Sequence, residues 1–251
     1  MVSDHIAEAR DLRKRFGTAE VLRGISFGLD KGETLVIMGG SGSGKTVLLR
    51  IIAGLLRPAG GEIRLYGIDI TRLSEEELLP IRRRMGYVFQ GAALFDSLSV
   101  YDNVAFPLRE HTNLPESEIR NRVIHVLSLV GLGEAVQPKL PSELSGGMRK
   151  RVGIARALVS EPEMLLFDEP TAGLDPTNSK MVSELIVKLK GGVCDTSIVV
   201  THDIELARTV ADRVAILMDG RFAVIGPVDE VMNSGDPVVQ AFLAGEARVT
   251  A

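Results

Sequence analysis

Eight consecutive residues, GGSGSGKT at positions 39–46, have the types and the spacing of a phosphate-binding loop. The apolar run at 35–38 before them predicts a strand. The apolar stretch at 46–56 after them predicts a helix buried on nearly every side. Glycines let the backbone turn so that several N–H groups point at one anion near the positive end of that helix. A glycine-rich turn that only caps a helix is the simpler alternative, but the complete match favours a nucleoside triphosphate site.

Two side chains of this loop can act on a polyphosphate. Lys45 supplies a positive charge for the β- and γ-phosphates, and the Thr46 hydroxyl can coordinate Mg²⁺. The residues that we expect to contact the nucleotide here are Gly39, Gly40, Ser41, Gly42, Ser43, Gly44, Lys45, Thr46 and Val47.

Two adjacent carboxylates, Asp168 and Glu169, follow a second apolar run at 164–167. A buried strand that ends in a carboxylate can hold Mg²⁺, directly or through water, opposite the Thr46 hydroxyl. Glu169 then lies one residue nearer the γ-phosphate, where a base or a water-orienting group is needed. Without other motifs, Asp168 and Glu169 would be interpreted as two solvated charges at the end of a strand. Together with the complete loop, they predict a hydrolytic site.

Two further polar residues end predicted strands. His202 follows the strand at 198–201, and Gln90 ends the strand at 85–89. Because α/β sheets bind ligands at the carboxyl ends of their strands, the imidazole can donate to a γ-phosphate oxygen. The Gln90 amide could reach Mg²⁺ or the attacking water, although a surface glutamine is the simpler interpretation of that residue alone.

A second anion site is predicted at LSGGM, positions 144–148, where a helix begins. Ser145 is the expected N-cap, and Gly146 and Gly147 expose their amides. One monomer does not need two such helix ends for one nucleotide. A head-to-tail dimer, in which each second site closes over the partner's loop, explains both. The basic run at 149–151 is interpreted as a solvated helix face, with Arg149 able to support this helix.

The elements that position these residues follow an α/β pattern with two additions. Glycine-interrupted β-type runs at 6–29 predict antiparallel strands, and a region from 92 to 160 carries only helical patterns. Ser74 and Glu77 form a capping box for a short helix. The remaining predicted strands are 34–38, 62–66, 85–89, 164–167, 197–201, 213–218 and 222–225, and the remaining helices are 178–190 and 204–210. Alternating strands and helices imply a parallel sheet covered on both faces.

Composition excludes several classes. The 251 residues have a formal charge of −4 and a pI near 5.7, so we expect no nucleic-acid partner. The single cysteine, Cys194, cannot form an internal disulfide, which fits a reducing compartment. No apolar stretch approaches the ~18 residues of a membrane span, and the first residues lack the basic and apolar regions typical of a signal peptide. We expect a cytoplasmic protein that docks on a membrane partner if it serves a membrane process.

Together these motifs resemble the nucleotide-binding subunit of an ATP-binding-cassette (ABC) transporter over essentially the whole chain. The loop at 39–46 corresponds to Walker A, 164–168 to Walker B and 144–148 to the family signature. Gln90 matches the Q-loop, Asp175 the D-loop and His202 the H-loop, while Phe16 falls where the family stacks an aromatic ring on adenine. Met148 replaces the family's common glutamine.

The resemblance implies a P-loop NTPase fold of the ABC-ATPase type, as a single domain. Its RecA-like core would comprise about 1–91 and 161–226, its helical subdomain about 92–160, and its short C-terminal helices 227–251. It implies ATP and Mg²⁺ as ligands. Glu169 would activate water, His202 hold the γ-phosphate and Gln90 sense Mg²⁺. Ser145 and Gly147 would act across a homodimer, and Asp175 would couple the two sites.

Two segments, 88–95 and 103–112, resemble the lipid-trafficking branch, which includes the Mla system, the Mkl ATPases and a chloroplast lipid importer. The string PLREHT at 107–112 lies where the family contacts its permease. An exposed helix end at Arg109, Glu110 and His111 is the alternative. The branch implies a permease, an MCE-type lipid-binding protein and a small STAS-type cytosolic subunit. The chain would then lie on the cytoplasmic face of the inner membrane.

Three alternatives remain open. An importer of amino acids, of the methionine type, would carry the same motifs, although the short segment after 227 favours the lipid branch. A regulatory cassette of the cell-division type would transport nothing. A DNA-repair cassette is disfavoured by the acidic pI and by the lack of zinc-binding cysteines and coiled-coil heptads.

Overall fold

Two β-sheets and a set of surrounding helices form the molecule, which we describe from a computed structural model over residues 5–245. The strands are β1 (His5–Phe16), β2 (Ala19–Asp30), β3 (Thr34–Met38), β4 (Gly60–Leu65), β5 (Ile68–Asp69), β6 (Met85–Val88), β7 (Met164–Asp168), β8 (Ser197–Thr201), β9 (Arg213–Met218) and β10 (Arg221–Pro227). The α-helices are α1 (Lys45–Ile52), α2 (Glu75–Arg82), α3 (Val100–His111), α4 (Glu116–Leu129), α5 (Gly146–Leu158), α6 (Pro176–Lys190), α7 (Ile204–Val210), α8 (Val228–Met232) and α9 (Pro237–Leu243).

The larger sheet has six strands in the order β10-β9-β3-β8-β7-β6. Four of its five pairings are parallel and join β9, β3, β8, β7 and β6, and β10 closes one edge antiparallel to β9. Every residue of β3, β7 and β8 is buried, as expected for apolar strands covered on both faces. The parallel sheet predicted from the alternating pattern is therefore confirmed. The carboxyl ends of the parallel neighbours β3, β8, β7 and β6 lie on the same side of the sheet, which we call the sheet edge.

Alternate residues of the central strands enter two separate cores. Leu35 and Ile37 of β3 pack in the cluster that includes α1 and the smaller sheet. Val36 and Met38 pack on the opposite face, in the cluster that includes α3 to α7. This two-residue period is the one that a strand imposes on its side chains.

The smaller sheet is antiparallel, in the order β2-β1-β4-β5, and confirms the predicted amino-terminal strands. The prediction that three glycines interrupt it was wrong for two of them. Gly17 turns the chain, but Gly24 and Gly28 lie inside β2. Gly28 is needed there because the His5 ring covers it: a Cβ at this position would lie 2.4 Å from His5 Nε2.

Between β6 and β7, residues 89–163 form what we call the helical insert: α3, α4, α5 and two short 3₁₀ turns, with no strand in this fully described stretch. The helical region predicted at about 92–160 lies within this stretch. Pro115 and Ser145 precede α4 and α5, as their sequences predict. No helix within residues 5–245 is both long and apolar enough to cross a bilayer.

The boundaries of several elements agree with the sequence patterns, and one helix does not. Ser74 and Glu77 form the predicted capping box of α2. Asp219 and Gly220, both with positive φ, form the hairpin turn between β9 and β10, near the predicted strands 213–218 and 222–225. The first helix is shorter than the predicted 46–56, because the chain leaves α1 through Gly54 at φ 67°. The predicted C-terminal helices are α8 and α9, and residues 246–251 of that predicted segment lie outside the described range.

Candidate active site

The glycine-rich loop leaves β3 after Met38 and enters α1 at Lys45. Gly44 has φ 102°, and a Cβ there would lie 3.0 Å from Val21 Cγ1, so both its conformation and its packing require glycine. A Cβ on Gly39 would lie 2.6 Å from the Leu217 carbonyl oxygen. The loop is therefore held closely between the smaller sheet and the end of β9.

Lys45 lies under this loop and is only 7% exposed. Its ammonium donates to the Gly39 carbonyl at 2.8 Å and to the Gly40 carbonyl at 3.1 Å. It also lies 3.3 Å from Glu169 Oε1. The Ser43 hydroxyl in the same loop is buried without a hydrogen-bond partner. A buried ammonium, an unpaired hydroxyl and backbone amides at a helix N-terminus together fit a polyphosphate.

Thr46 and Asp168 form the predicted metal pair. The Thr46 hydroxyl donates to Asp168 Oδ1 at 2.9 Å, and the Tyr87 hydroxyl donates to Asp168 Oδ2 at 3.2 Å. Burial, followed by the nearby Asp168 carboxylate, raises the pKa of Tyr87, so its hydroxyl remains a donor. Within residues 5–245 no group of three or more His, Cys, Asp or Glu side chains could hold a metal. The pair fits Mg²⁺ because this ion is commonly held by one or two carboxylates together with substrate phosphates.

Glu169 connects the ends of β7 and β8. Its Oε2 lies 2.9 Å from Nδ1 of His202 and accepts the His202 main-chain N–H at 3.3 Å, while its own N–H donates to the Val200 carbonyl. Glu169 has φ 47° and is 8% exposed, whereas the His202 side chain is 65% exposed. A buried carboxylate in a sparsely populated backbone conformation, held from two sides, is typical of a residue fixed for chemistry.

The predicted second anion site is a capped helix start. The Ser145 hydroxyl accepts the Met148 N–H at 3.3 Å, and Gly146 and Gly147 form the first turn of α5. A Cβ on Gly147 would lie 2.2 Å from Oδ1 of Asn178, so α5 packs directly against α6 at this glycine. In the described part of the chain, no hydrogen bond joins Ser145 to the loop at 39–46.

Asp175 caps α6 beside this helix start. Its carboxylate accepts the Asn178 main-chain N–H at 3.0 Å and the Asn178 side-chain amide at 2.5 Å. The main-chain hydrogen bond, and after it the side-chain one, holds the pKa of Asp175 below its usual range. The predicted D-loop and signature residues of one chain are thus neighbours, joined through Asn178.

Two predicted residues remain separate from this network. Phe16 ends β1 with its ring 50% exposed, and the Lys14 ammonium lies 5.1 Å from the ring centroid. Gln90 follows β6, and the contact that the structure shows for it is made by its main-chain carbonyl, which accepts from Lys150. Their predicted contacts with adenine and Mg²⁺ therefore stay predictions.

The interpretation of the run at 149–151 as a solvated face was wrong for Lys150. This side chain is 5% exposed, and its ammonium donates to the carbonyls of Gln90 and, at 3.1 Å, Glu169. Burial lowers the pKa of Lys150, although the Asp168 and Glu169 carboxylates oppose this effect. The sequence does contain one indication of this burial, which is helical spacing. Lys150 follows Gly147 by three positions and precedes the buried Ile154 by four, so the three residues share one face of α5.

The string at 107–112 forms the end of α3, and Arg109 within it is engaged inside the chain. Its guanidinium contacts Asp102 of α3 at 2.9 Å and Glu116 of α4 at 2.6 Å. The hydrogen bond to Glu116, and after it the one to Asp102, raises the pKa of Arg109. Glu110 and His111 are exposed. Arg109 therefore joins two helices of the insert, and the exposed residues beside it remain free to meet another surface.

Comparison with known proteins agrees with this geometry. The family model described as "ABC transporter" matches residues 22–172. The chain is 45% identical over 238 residues to the probable ribonucleotide transport ATP-binding protein mkl of Mycobacterium leprae, covering 95% of this chain and 68% of that protein. It is 42% identical over 246 residues to the intermembrane phospholipid transport system ATP-binding protein MlaF of Haemophilus influenzae, covering 98% and 93%. It is 41% identical to the methionine import ATP-binding protein MetN of Mesorhizobium japonicum, covering 98% and 67%.

A solved structure shares the fold. The ATP-binding cassette MJ0796, determined as a dimer in a post-hydrolysis state with ADP and Pi, superposes with a TM-score of 0.82 at 34% identity, covering 88% of this chain and 98% of that one. The motifs, the sheet edge and these similarities agree with one another. The chain is a member of the ABC transporter family, and within it an ATPase subunit.

Proposed function

We propose that this chain powers the movement of phospholipid or a related lipid between membranes, through an integral-membrane permease and an MCE-type lipid-binding protein. The observation that carries the proposal is its similarity, along 98% of the chain, to an ATPase named for intermembrane phospholipid transport. The string at 107–112, which resembles the same branch, supports it. A small STAS-type cytosolic subunit and a position on the cytoplasmic face of the inner membrane belong to this proposal.

Hydrolysis, in this proposal, begins with ATP held by the loop at 39–46. Lys45 and the loop amides bind the β- and γ-phosphates, Val47 lies in the following turn, and Phe16 stacks on adenine. Thr46, Asp168 and Gln90 would hold Mg²⁺, which would neutralise charge on the phosphate oxygens. Phosphate oxygens would compete with Glu169 for the Lys45 ammonium, and this releases Glu169 Oε1 toward water.

Glu169 then orients a water molecule and accepts its proton as the water oxygen bonds to the γ-phosphorus. The bond from that phosphorus to the β,γ-bridging oxygen breaks, giving ADP and inorganic phosphate. The His202 main-chain N–H and ring keep Glu169 Oε2 in place, and the exposed side of the ring can donate to the γ-phosphate. Burial of Glu169 excludes bulk water from this side of the site.

In this proposal, the start of α5 at Ser145 completes a nucleotide site in a homodimer. Ser145, Gly146 and Gly147 form no hydrogen bond with the chain's own loop in the described residues, so we place them over the partner's nucleotide. Asp175, adjacent through Asn178, links the two sites. A dimeric cassette with ADP and Pi shares this fold, which supports the arrangement. The division into a core at about 1–91 and 161–226, an insert at about 92–160 and a terminal segment at 227–251 belongs to the same proposal.

The lipid assignment is tested on the intact membrane complex. We expect mass spectrometry of the purified complex to find a permease, an MCE-type protein and bound phospholipid. Transfer of labelled phospholipid between vesicles should require ATP and stop in a complex that carries Glu169→Gln. A complex that holds no lipid, and whose ATPase responds to an amino acid, would contradict the proposal.

A methionine-type importer is the second candidate, and the 41% identity to MetN favours it. Such a complex should bind a soluble receptor for its solute, and its ATPase should rise when the loaded receptor is added. Lipid transfer without any receptor would exclude it.

A further inference from the structure

Lys150 is a buried lysine on the helix that begins at the predicted signature residues. It is 5% exposed, and within residues 5–245 it forms no ion pair with a carboxylate. Burying an ammonium is costly unless its hydrogen bonds are satisfied. Two main-chain carbonyls accept from it, so its burial is tied to the position of those two carbonyls.

The two carbonyls belong to residues at the ends of adjacent strands. Gln90 follows β6 by two positions and Glu169 follows β7 directly, and β6 and β7 are parallel neighbours that pair Val88 with Phe167. Lys150 therefore crosses from α5 to two points of the sheet edge at once. One of these points is the residue whose φ of 47° must be held by its surroundings.

The basic residues on either side of Lys150 donate to carbonyls in a different part of the molecule. Arg149 donates to the Leu144 carbonyl at 2.6 Å, and Arg151 donates to the carbonyls of Val130 and Gly131 at 3.2 and 3.1 Å. Both bind carbonyls within the helical insert. Of these three basic residues, Lys150 alone reaches the sheet edge.

We infer that Lys150 is a positioning residue for hydrolysis, which fixes the main chain of Gln90 and Glu169 relative to α5. A displacement of the helix that carries Ser145 then reaches the carboxylate that activates water. The inference rests on the roles proposed for Glu169 and Gln90.

This role predicts a split between turnover and nucleotide affinity. The loop at 39–46 governs affinity, and no hydrogen bond in the described chain joins it to Lys150. Turnover depends on the placement of Glu169, and small displacements of a catalytic group lower rates strongly. If Lys150 only stabilised the fold, its replacement would lower turnover and nucleotide affinity together, and thermal stability would fall with them.

The experiment measures steady-state hydrolysis of Mg-ATP by the full-length chain. Lys150→Met keeps the length of the side chain and removes its donors. We expect kcat to fall about tenfold or more while the KM for ATP stays within about threefold. Arg151→Met is the matched control, on the same helix and with the same kind of bonds, and should keep kcat within about twofold. Lys150→Arg, which retains donors, should recover part of the loss.

Three results would overturn the inference: wild-type kcat in Lys150→Met, an equal loss in Arg151→Met, or a rise in KM with kcat unchanged. If Lys150→Met does not fold, the comparison passes to Lys150→Leu, which also lacks donors. A folded Lys150→Leu protein with wild-type kcat would then be the contradicting result. Glu169→Gln, measured in parallel, separates the two proposals. If it keeps full turnover, the proposed base is wrong; if it loses turnover while Lys150→Met does not, the positioning role alone fails.

Discussion

The sheet edge and the start of α5 carry the two halves of the proposed site, and they differ in how their groups are held. At the sheet edge, Glu169 already contacts both Lys45 and His202, and Thr46 contacts Asp168. At the start of α5, Ser145 bonds only within its own helix turn in the described residues. Folding of one chain therefore organises the first half. In the proposed dimer, the second half is a helix end whose ligand is the nucleotide of the partner.

The largest expected effect is at the sheet edge. Lys45→Ala removes the ammonium that donates to two loop carbonyls and faces Glu169, so both the phosphate contact and the shape of the loop are lost. We expect ATP affinity to fall by about a hundredfold or more, measured by titration with a fluorescent ATP analogue. Unchanged affinity would contradict the assignment of the loop.

Glu169→Gln tests the chemistry of the same edge. The amide keeps the size of the side chain and cannot accept a proton, so we expect turnover to fall about a hundredfold or more with ATP binding retained. The bound dimer should then accumulate and be visible by analytical ultracentrifugation with ATP. Turnover at the wild-type rate would show that the base lies elsewhere.

Gly147→Ala tests the packing at the start of α5. The new Cβ would meet Oδ1 of Asn178, so this side-chain amide must move and break the hydrogen bond that its Nδ2 donates to Asp175. We expect a loss of about 1–3 kcal/mol in the free energy of unfolding, measured by urea denaturation. Asn178→Ala in the same protein should restore part of that stability. No recovery would argue against this contact as the cause.

The smallest effect is expected within the insert, away from both halves. Arg109→Ala breaks the exposed ion pairs between α3 and α4, and such pairs contribute little. We expect Tm to fall by about 3 °C or less, with ATPase activity of the isolated chain unchanged. Arg109 holds the pKa of Glu116 below its usual range, so the contribution is present at neutral pH and is lost as pH falls through that lowered pKa. An equal Tm difference far below that pKa would contradict the ion-pair explanation.

Local sequence patterns were sufficient to predict the strands and helices that position the site. The glycine loop, the apolar strands and the capping residues each depend on neighbours in the chain, and β3, β8, β9 and α7 have the predicted bounds. The meeting of Thr46 with Asp168 followed from one rule, that parallel strands end together at one edge.

Contacts between distant segments could not be predicted in this way. Tyr87 and Asp168, or Lys150 and Gln90, are brought together by the packing of α5 and the order of strands in the sheet. Helical spacing from Gly147 and Ile154 could indicate that Lys150 is buried, but nothing in the run at 149–151 indicates which carbonyls its ammonium meets. Gly28 is similar, since its place inside β2 depends on the ring of His5.

The central claim is that one complete site needs two chains, and mixing two inactive variants tests it most directly. Lys45→Ala and Ser145→Arg each damage both sites of a homodimer. In a mixed dimer, both lesions fall in one site and the other site is intact. We predict that equal amounts of the two variants, mixed and re-equilibrated, regain ATPase activity well above either alone. Activity that stays at the sum of the two separate variants would contradict a site shared between copies.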